Sequence, residues 1–118
     1  MTRKLLFIVF TTDSCRRNHA FMYAVDLARH GHQVRLLLEG EGVQCLRERE
    51  GRFGELFEEA RGLGLIAGAC QAASGGCKNP ERDVTGIAAG LELPLLATMN
   101  GHAGIESFVR EGYEVVLF

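Results

Sequence analysis

Long apolar runs and an excess of charge of one sign are both missing from this sequence. No apolar stretch approaches the roughly 18 residues that a membrane-spanning helix requires. The segment Met1–Lys4 leads straight into a strand-like run, which leaves no room for the apolar core and cleavage site of a signal peptide. The 13 basic and 15 acidic residues are interspersed and sum to a formal charge of −2, so no basic stripe favours nucleic acid. We therefore expect a cytoplasmic protein with no nucleic-acid or membrane partner.

Several short motifs that would assign a chemistry are absent too. There is no C-x-x-C pair of the thioredoxin type. The residues six positions after Cys70 and Cys77 are Gly76 and Asp83, which excludes the C-x5-R phosphate loop of cysteine phosphatases. Neither G-x-G-x-x-G nor G-x-x-x-x-G-K-[ST] occurs, and the segment Ser74–Gly76 is too short a glycine signal to define a phosphate loop. The sequence therefore does not favour nucleotide binding.

The cysteines are few and do not indicate disulfides or a metal site. They are Cys15, Cys45, Cys70 and Cys77. Their spacing lacks the density of a disulfide-stapled secreted domain, so we interpret them as reduced thiols. Cys70, Cys77, His19 and His102 have the ligand types of a zinc site, but six residues separate the two cysteines, unlike common zinc motifs. We therefore predict neither a metal nor a cofactor.

The sequence does contain a regular alternation of strand-like and helix-like segments. Its 118 residues suit one domain of common size, and neither a repeat nor a linker divides them, so we predict a single domain over 1–118. Continuous apolar runs predict strands at Leu5–Phe10, Gln33–Leu38, Leu65–Ala69, Leu95–Thr98 and Tyr113–Phe118. Such strands alternating with helices imply an α/β fold, a three-layer α/β/α sandwich with a mainly parallel five-stranded sheet.

Apolar residues at helical spacing predict the helices between these strands. The first helix is expected to start at an N-cap within Thr11–Ser14. The last helix is expected to turn Ile105, Phe108 and Val109 inward. The charged stretch 47–52 is predicted to be a mobile loop.

Cys70 is the residue that most strongly suggests chemistry. It follows the third apolar run, and a small-residue loop at Ala72–Gly76 comes after it. In parallel α/β sheets, ligands bind in the crevice beyond the carboxyl ends of the strands. A thiol that faces solvent and a helix N-terminus there is favoured as the thiolate. The alternative is a buried and inert thiol, because free cysteine is among the most buried residue types, and the sequence leaves both open.

Further candidate residues belong to the same predicted edge of the sheet. Cys77, in a polar loop, is a candidate resolving thiol. His102, at the start of the last helix, is a candidate acid or base near neutral pH, or else it only solvates the helix N-terminus. Cys15 starts the first helix and either shares the crevice or belongs to the cap. Asn100 is a candidate substrate-binding residue, while a role for Cys45 has less support.

The order of these elements resembles the DsrE/DsrF-like family of small sulfur-metabolism proteins, and the resemblance covers nearly the whole chain. The segments that carry it are Gly31–Val34, Glu39-Gly40, the cysteine at position 70, Met99–His102 and Glu111–Val115. The cysteine after the third strand is the most specific of them, and the others contribute mainly through their order.

The resemblance implies a cofactor-free sulfur-relay carrier or persulfide sulfurtransferase that assembles as trimers or hexamers and exchanges sulfur with donor and acceptor proteins. Cys70 matches the cysteine that carries sulfur as a persulfide in the characterised members. Ser74 and the N–H groups of Gly75 and Gly76 are expected to hydrogen-bond the charged sulfur, and His102 to move a proton. The polar segment after Cys70 departs from the short helix that the resemblance implies.

Two other function classes stay open. The main rival is a noncatalytic oligomeric binding or scaffold protein of the same fold, in which Cys70 is packed and inert. The third hypothesis is a small-anion or nucleotide-binding module that uses the Gly-rich loop.

Overall fold

Five short apolar segments form the strands that the alternating sequence predicts. In this computed structural model, which describes residues 1–118, they are β1 (Lys4–Val9), β2 (Gln33–Leu38), β3 (Ile66–Cys70), β4 (Leu95–Leu96) and β5 (Glu114–Leu117). All of them pair in parallel, in the order β4-β3-β2-β1-β5. The prediction of a three-layer α/β/α fold with a five-stranded parallel sheet is confirmed.

The helices lie between the strands along the chain. They are α1 (Ser14–Arg29), α2 (Gly51–Gly62), α3 (Gln71–Ser74), α4 (Thr85–Gly90) and α5 (Glu106–Arg110), with 3₁₀ helices at Gly40–Arg47 and Pro80–Arg82. The Asp13 carboxylate caps α1 by accepting the N–H of Arg16. No helix has both the length and the hydropathy that crossing a bilayer requires.

The two faces of the sheet are covered by different parts of the chain. Leu5 and Phe7 line a pocket with residues of α1, whereas Ile8, which points to the other face, lines a pocket with Ala103 and Ile105. The segment between β4 and α5 therefore lies on the sheet face opposite α1. This segment forms the functional site described below.

The central strands are buried on both faces. Leu6 and Val9 of β1, and Leu36 and Leu38 of β2, have no exposed surface. Burial of both faces accounts for the continuous apolar runs, because a half-exposed strand would alternate apolar and polar residues. Cys70 belongs to the same apolar core.

A close backbone approach holds β4 beside β3. A Cβ atom on Gly68 would lie 2.5 Å from the carbonyl oxygen of Pro94, so only glycine fits at this position. The N–H of Ala69 donates to that same oxygen at 3.0 Å. This contact precedes β4 and holds it against β3, so that Leu96, the last residue of β4, pairs with Cys70 and the chain that leaves β4 lies at the end of β3.

Four local predictions differ from the structure. The segment 47–52, predicted as a loop, is a loop only over 48–50, because the first 3₁₀ helix extends to Arg47 and α2 begins at Gly51. The segment after Cys70, predicted as a loop, begins with the one-turn helix α3. The fourth strand, predicted over Leu95–Thr98, has only two residues, because the chain turns away after Leu96. Val109, predicted to point inward, is 53% exposed, since the short α5 packs against the core through Ile105 and Phe108 instead.

Candidate functional site

Cys70 is the last residue of β3, and α3 begins at the next residue. Of the two alternatives that the sequence leaves open, the structure shows the buried one, because Cys70 has no exposed surface. The physical reason is the segment after β4, which crosses the carboxyl end of β3 and covers the sulfur. The short helix that the resemblance implied after this cysteine is present.

A tight turn provides the cover. Met99 and His102 exchange two backbone hydrogen bonds of 2.9 Å. Between them Asn100 and Gly101 have φ values of 51° and 87°, and positive φ at both central positions is the pattern of a type I′ turn, for which Asn-Gly is the preferred sequence. The N–H of Ala72 donates to the Gly101 carbonyl at 3.0 Å, so the turn is fastened to the start of α3.

This turn supplies both polar neighbours of the Cys70 sulfur. The backbone N–H of Ala103 donates to Sγ at 3.4 Å, and Nδ1 of His102 lies 3.9 Å from the same atom. The Ala103 N–H is thus a hydrogen-bond donor aimed at the sulfur. An imidazole at this distance is placed to exchange a proton with sulfur. Cys70 and His102 were both predicted as site residues, and the structure brings them together.

The Ala103 N–H was missed by the sequence prediction, which assigned the sulfur-binding role to the loop after Cys70. In the structure the N–H groups of Gly75 and Gly76 donate to the carbonyls of Gln71 and Ala73, which closes α3. They are therefore not free to bind sulfur. The sequence feature that marked the segment beside the sulfur was the Asn100-Gly101 pair. Asn-Gly is the preferred sequence of a tight turn, in which the chain reverses direction within a few residues.

Ser74 is also placed differently from its predicted role. Its hydroxyl is buried and has no hydrogen-bond partner. The hydroxyl makes no hydrogen bond to the Cys70 sulfur, whose hydrogen-bond neighbours are Ala103 and His102. Asn100 lies exposed at the tip of the turn, and its predicted part in substrate binding stays a prediction.

Cys77 lies in an unusual stretch of backbone that begins directly after α3. Gly76, Cys77 and Lys78 have φ values of 82°, 48° and 75°, so two residues with side chains adopt the left-handed region that normally favours glycine. The thiol is exposed and donates weakly to the Ala72 carbonyl, with Sγ 3.7 Å from the oxygen. Strained conformations of this kind persist only where the surrounding structure holds them, and they cluster at functional sites.

Two open pockets meet at His102. One, of about 400 Å³, is lined by Ala72, Gly75, Cys77, Lys78 and His102. The other, of about 420 Å³, is mainly apolar and is lined by Ile8, Phe10, Leu37, Glu39, Met99, His102, Ala103 and Ile105. His102 therefore borders both pockets while its ring contacts the buried Cys70. The crevice that parallel sheets present at their carboxyl ends is thus divided by one histidine.

The remaining cysteines lie apart from this site. Cys15 is exposed in the first turn of α1, where its sulfur is 3.7 Å from Nδ1 of His19, and it makes no contact with Cys70. Burial raises the pKa of the Cys45 thiol to about 12, so this thiol stays protonated and unreactive near neutral pH. All four cysteines are free thiols.

A metal site is not formed by these side chains. No group of three or more His, Cys, Asp or Glu residues is placed to hold a metal ion. Cys70 with His102 supplies only two donors of the four that a structural zinc ion takes. The groups that Cys70 and His102 themselves supply are a thiol and an imidazole.

Comparison of the chain with protein-family models, with curated proteins and with solved structures gives no match in any of the three.

Proposed function

We propose that the protein is a sulfur-relay carrier of the DsrE/DsrF-like type, which holds sulfane sulfur as a persulfide on Cys70 and passes it to an acceptor thiol. The observation that carries the proposal is the pairing of Cys70 with His102 and with the Ala103 N–H at the carboxyl end of β3. A thiol, a proton-exchanging imidazole and an N–H donor are the groups that sulfur exchange needs.

The sulfur exchange requires no cofactor, because its atoms and electrons balance among the donor, Cys70 and the acceptor. The Cys70 thiolate attacks the terminal sulfur of a donor R–S–SH, a new S–S bond forms, and R–S⁻ leaves with the electron pair of the broken bond. An acceptor thiolate then attacks the terminal sulfur on Cys70 in the same way and restores the Cys70 thiolate. His102 is placed to deliver the proton to a leaving thiolate and to take one from the incoming thiol.

Access to Cys70 requires movement of the turn Met99–His102, because the sulfur has no exposed surface. The turn is held by backbone hydrogen bonds and by the single bond from Ala72 to Gly101, and its outer residues are exposed. Segments with few buried contacts open at low free-energy cost. We propose that this turn is the lid through which donor and acceptor reach the sulfur.

We also propose that the protein acts as a homo-oligomer in the cytoplasm. The edge strand β5 exposes Val115 and Leu117, which are 38% and 65% exposed and lie on the same face. Exposed apolar residues on an edge strand favour association with another chain. Free thiols are the usual state of cysteine in a reducing compartment.

A second candidate is a noncatalytic oligomeric scaffold with an inert Cys70. The observation that favours it is the complete burial of Cys70 within the apolar core. In this case the His102 contact is only packing, and Cys70 reacts with nothing until the protein unfolds. The two candidates therefore differ in the behaviour of a single thiol.

The deciding experiment is sulfur loading followed by tandem mass spectrometry. The protein is incubated with cysteine desulfurase plus cysteine, persulfides are trapped by alkylation, and the tryptic peptide Gly62–Lys78, which contains Cys70 and Cys77, is fragmented to assign the site. We expect a reducible gain of one sulfur atom that fragmentation assigns to Cys70, and the matched control Cys15→Ser should preserve it. Persulfide absent from Cys70 with this donor and with inorganic tetrasulfide would overturn the carrier and favour the scaffold.

A further inference from the structure

We propose that Cys77 is the thiol that first receives sulfur, and that it takes the sulfur from a small anionic sulfane-sulfur donor bound in the pocket between Cys77, Lys78 and His102. This inference rests on the proposed function, since it supplies a route for sulfur to a carrier thiol that is buried. The donor class is that of inorganic polysulfides and low-molecular-weight persulfides.

The first argument is that exposure and burial separate the two thiols. Cys70 has no exposed surface and borders neither pocket. Cys77 is exposed and lines a pocket of about 400 Å³, which is large enough for a small molecule. A donor that diffuses to this edge of the sheet therefore meets Cys77 before it meets Cys70.

The second argument is the charge of the pocket. Among its lining residues Lys78 and His102 are basic, and none is acidic. Lys78 makes no salt bridge in the structure, in contrast to Arg82, which lies 3.7 Å from Glu41 in the neighbouring 3₁₀ helix. An unpaired ammonium beside an exposed thiol attracts an anion. The pocket thus suits a negatively charged sulfur compound.

The third argument is the conformation of the backbone. Cys77 and Lys78 both adopt positive φ, although any residue other than glycine is strained there. The strain is held by hydrogen bonds on both sides, from the Cys77 N–H to the Ala72 carbonyl and from the Asn79 N–H to the Gly76 carbonyl. This backbone conformation holds the Cys77 thiol and the Lys78 ammonium at the rim of the same pocket. In a relaxed loop the two groups would be free to separate.

The chemical step is an exchange of one sulfur atom. The Cys77 thiolate attacks the terminal sulfur of R–S–SH, the Cys77 S–S bond forms as the donor bond breaks, and R–S⁻ leaves with the electron pair. Lys78 stabilises the negative leaving group, and His102 is placed to protonate it. The Cys70 thiolate then takes the terminal sulfur from Cys77, which restores the Cys77 thiolate. His102 borders the pocket and contacts Cys70, so this second transfer takes place where the turn Met99–His102 opens.

The test measures the rate at which inorganic tetrasulfide loads each cysteine, by tandem mass spectrometry of the Gly62–Lys78 peptide. We expect sulfur to accumulate on Cys77 in Cys70→Ser. In Cys77→Ser we expect loading of Cys70 to fall about tenfold or more, since only rare opening of the turn then admits the donor. Lys78→Gln, whose tryptic peptide extends from Gly62 to Arg82 because the cleavage site at position 78 is lost, should slow loading of Cys77 about fivefold, the effect of one nearby charge. Added salt should reduce this difference. The matched control is Lys4→Gln, which changes a lysine of β1.

The possible outcomes distinguish failure of the receiving role of Cys77 from failure of the carrier role of Cys70. Equal loading of Cys70 in wild type and Cys77→Ser would overturn the receiving role of Cys77 and leave the carrier standing. Loading by desulfurase plus cysteine, but never by tetrasulfide, would overturn the small anionic donor. Sulfur on Cys77 that never reaches Cys70 would support the receiving step and overturn the carrier role of Cys70. If Cys77→Ser has a normal unfolding transition and still binds tetrasulfide noncovalently, the loss of loading is due to the missing thiol and not to a change in folding or binding.

Discussion

At the scale of single residues, the four thiols differ because of their surroundings. Cys45 and Cys70 are both buried, yet only Cys70 has an N–H donor and an imidazole beside its sulfur. Cys45 lies in the apolar core, where burial raises its pKa to about 12 although the charges of Arg17 and Arg49 act to lower it. Cys15 and Cys77 are exposed. The same side chain is thus inert in one place and suited to exchange in another.

From the raised pKa of the Cys45 thiol we predict that the folded protein loses stability at alkaline pH. Its pKa is raised by burial from an ordinary value of 9.0 to about 12. A raised pKa means that the folded state holds the proton more tightly than the unfolded state, so this contribution is complete below about pH 9 and is lost as the pH rises toward 12. We expect the free energy of unfolding in guanidinium to fall above pH 9, and to fall less in Cys45→Ala. Parallel curves for the two proteins from pH 7 to 10.5 would contradict this assignment.

At the scale of secondary-structure elements, the site depends on how two connections end. The strand β3 delivers Cys70 to the edge of the sheet, and the turn after β4 delivers His102 and Ala103 to the same sulfur. The contact between Gly68 and the Pro94 carbonyl brings the two strands together closely. The chemistry therefore depends on the register of β3 and β4 and on the geometry of a single turn.

We predict that Gly101→Ala, in the turn Met99–His102, lowers the stability of the protein and raises the reactivity of Cys70. Gly101 has a φ of 87°, and a Cβ atom there meets nothing within 4 Å, so alanine is strained only by its backbone conformation. We expect a loss of about 1 kcal/mol in the free energy of unfolding. If the strain acts on the turn, opening becomes easier by the same amount, and alkylation of Cys70 by iodoacetamide should accelerate about fivefold.

The matched control for this prediction is Gly86→Ala. Gly86 lies within α4, has no positive φ, and has open space at its Cβ position. Alanine is expected to stabilise the helix by up to about 1 kcal/mol without accelerating alkylation of Cys70. Unchanged Cys70 reactivity in Gly101→Ala, measured by peptide mass spectrometry in the folded protein, would show that the turn is not the lid.

At the scale of the whole molecule, the sheet has an unprotected edge. The strand β5 pairs only with β1, and its Val115 and Leu117 are exposed. Natural edge strands are commonly protected by lysine or by irregular backbone. An apolar edge of this kind is consistent with the assembly that the DsrE/DsrF-like resemblance implies.

We predict that the assembly depends on this edge. The double variant Val115→Lys/Leu117→Lys should have a molar mass of one chain in size-exclusion chromatography with light scattering, where the wild type shows a trimer or hexamer. Because both side chains are exposed, the variant is expected to keep its circular dichroism spectrum. The matched control Val109→Lys changes an exposed apolar residue of α5 and should leave the molar mass unchanged. A monomeric wild type at high micromolar concentration would contradict the prediction.

The sequence by itself determined the class of fold and the edge of the sheet that carries Cys70. Alternating apolar runs and helical spacing are local properties, and they are sufficient to predict strands buried on both faces, the helices between them and the position of the cysteine at the end of the third strand. The sequence predicted that Cys70 and His102 lie at the same edge of the sheet, but not that their side chains meet. Local patterns contain no distances across the sheet.

Only the tertiary structure decided which groups meet at the sulfur. The burial of Cys70 and its bond from the Ala103 N–H depend on the pairing of β4 with β3, in which Leu96 lies beside Cys70 and the backbones approach closely at Gly68. Closure of α3 removed Gly75 and Gly76 from their predicted role, because their N–H groups satisfy helix carbonyls first. These outcomes are decided by competition among long-range contacts for the same donors and the same space, and such competition is resolved only when the whole chain is packed.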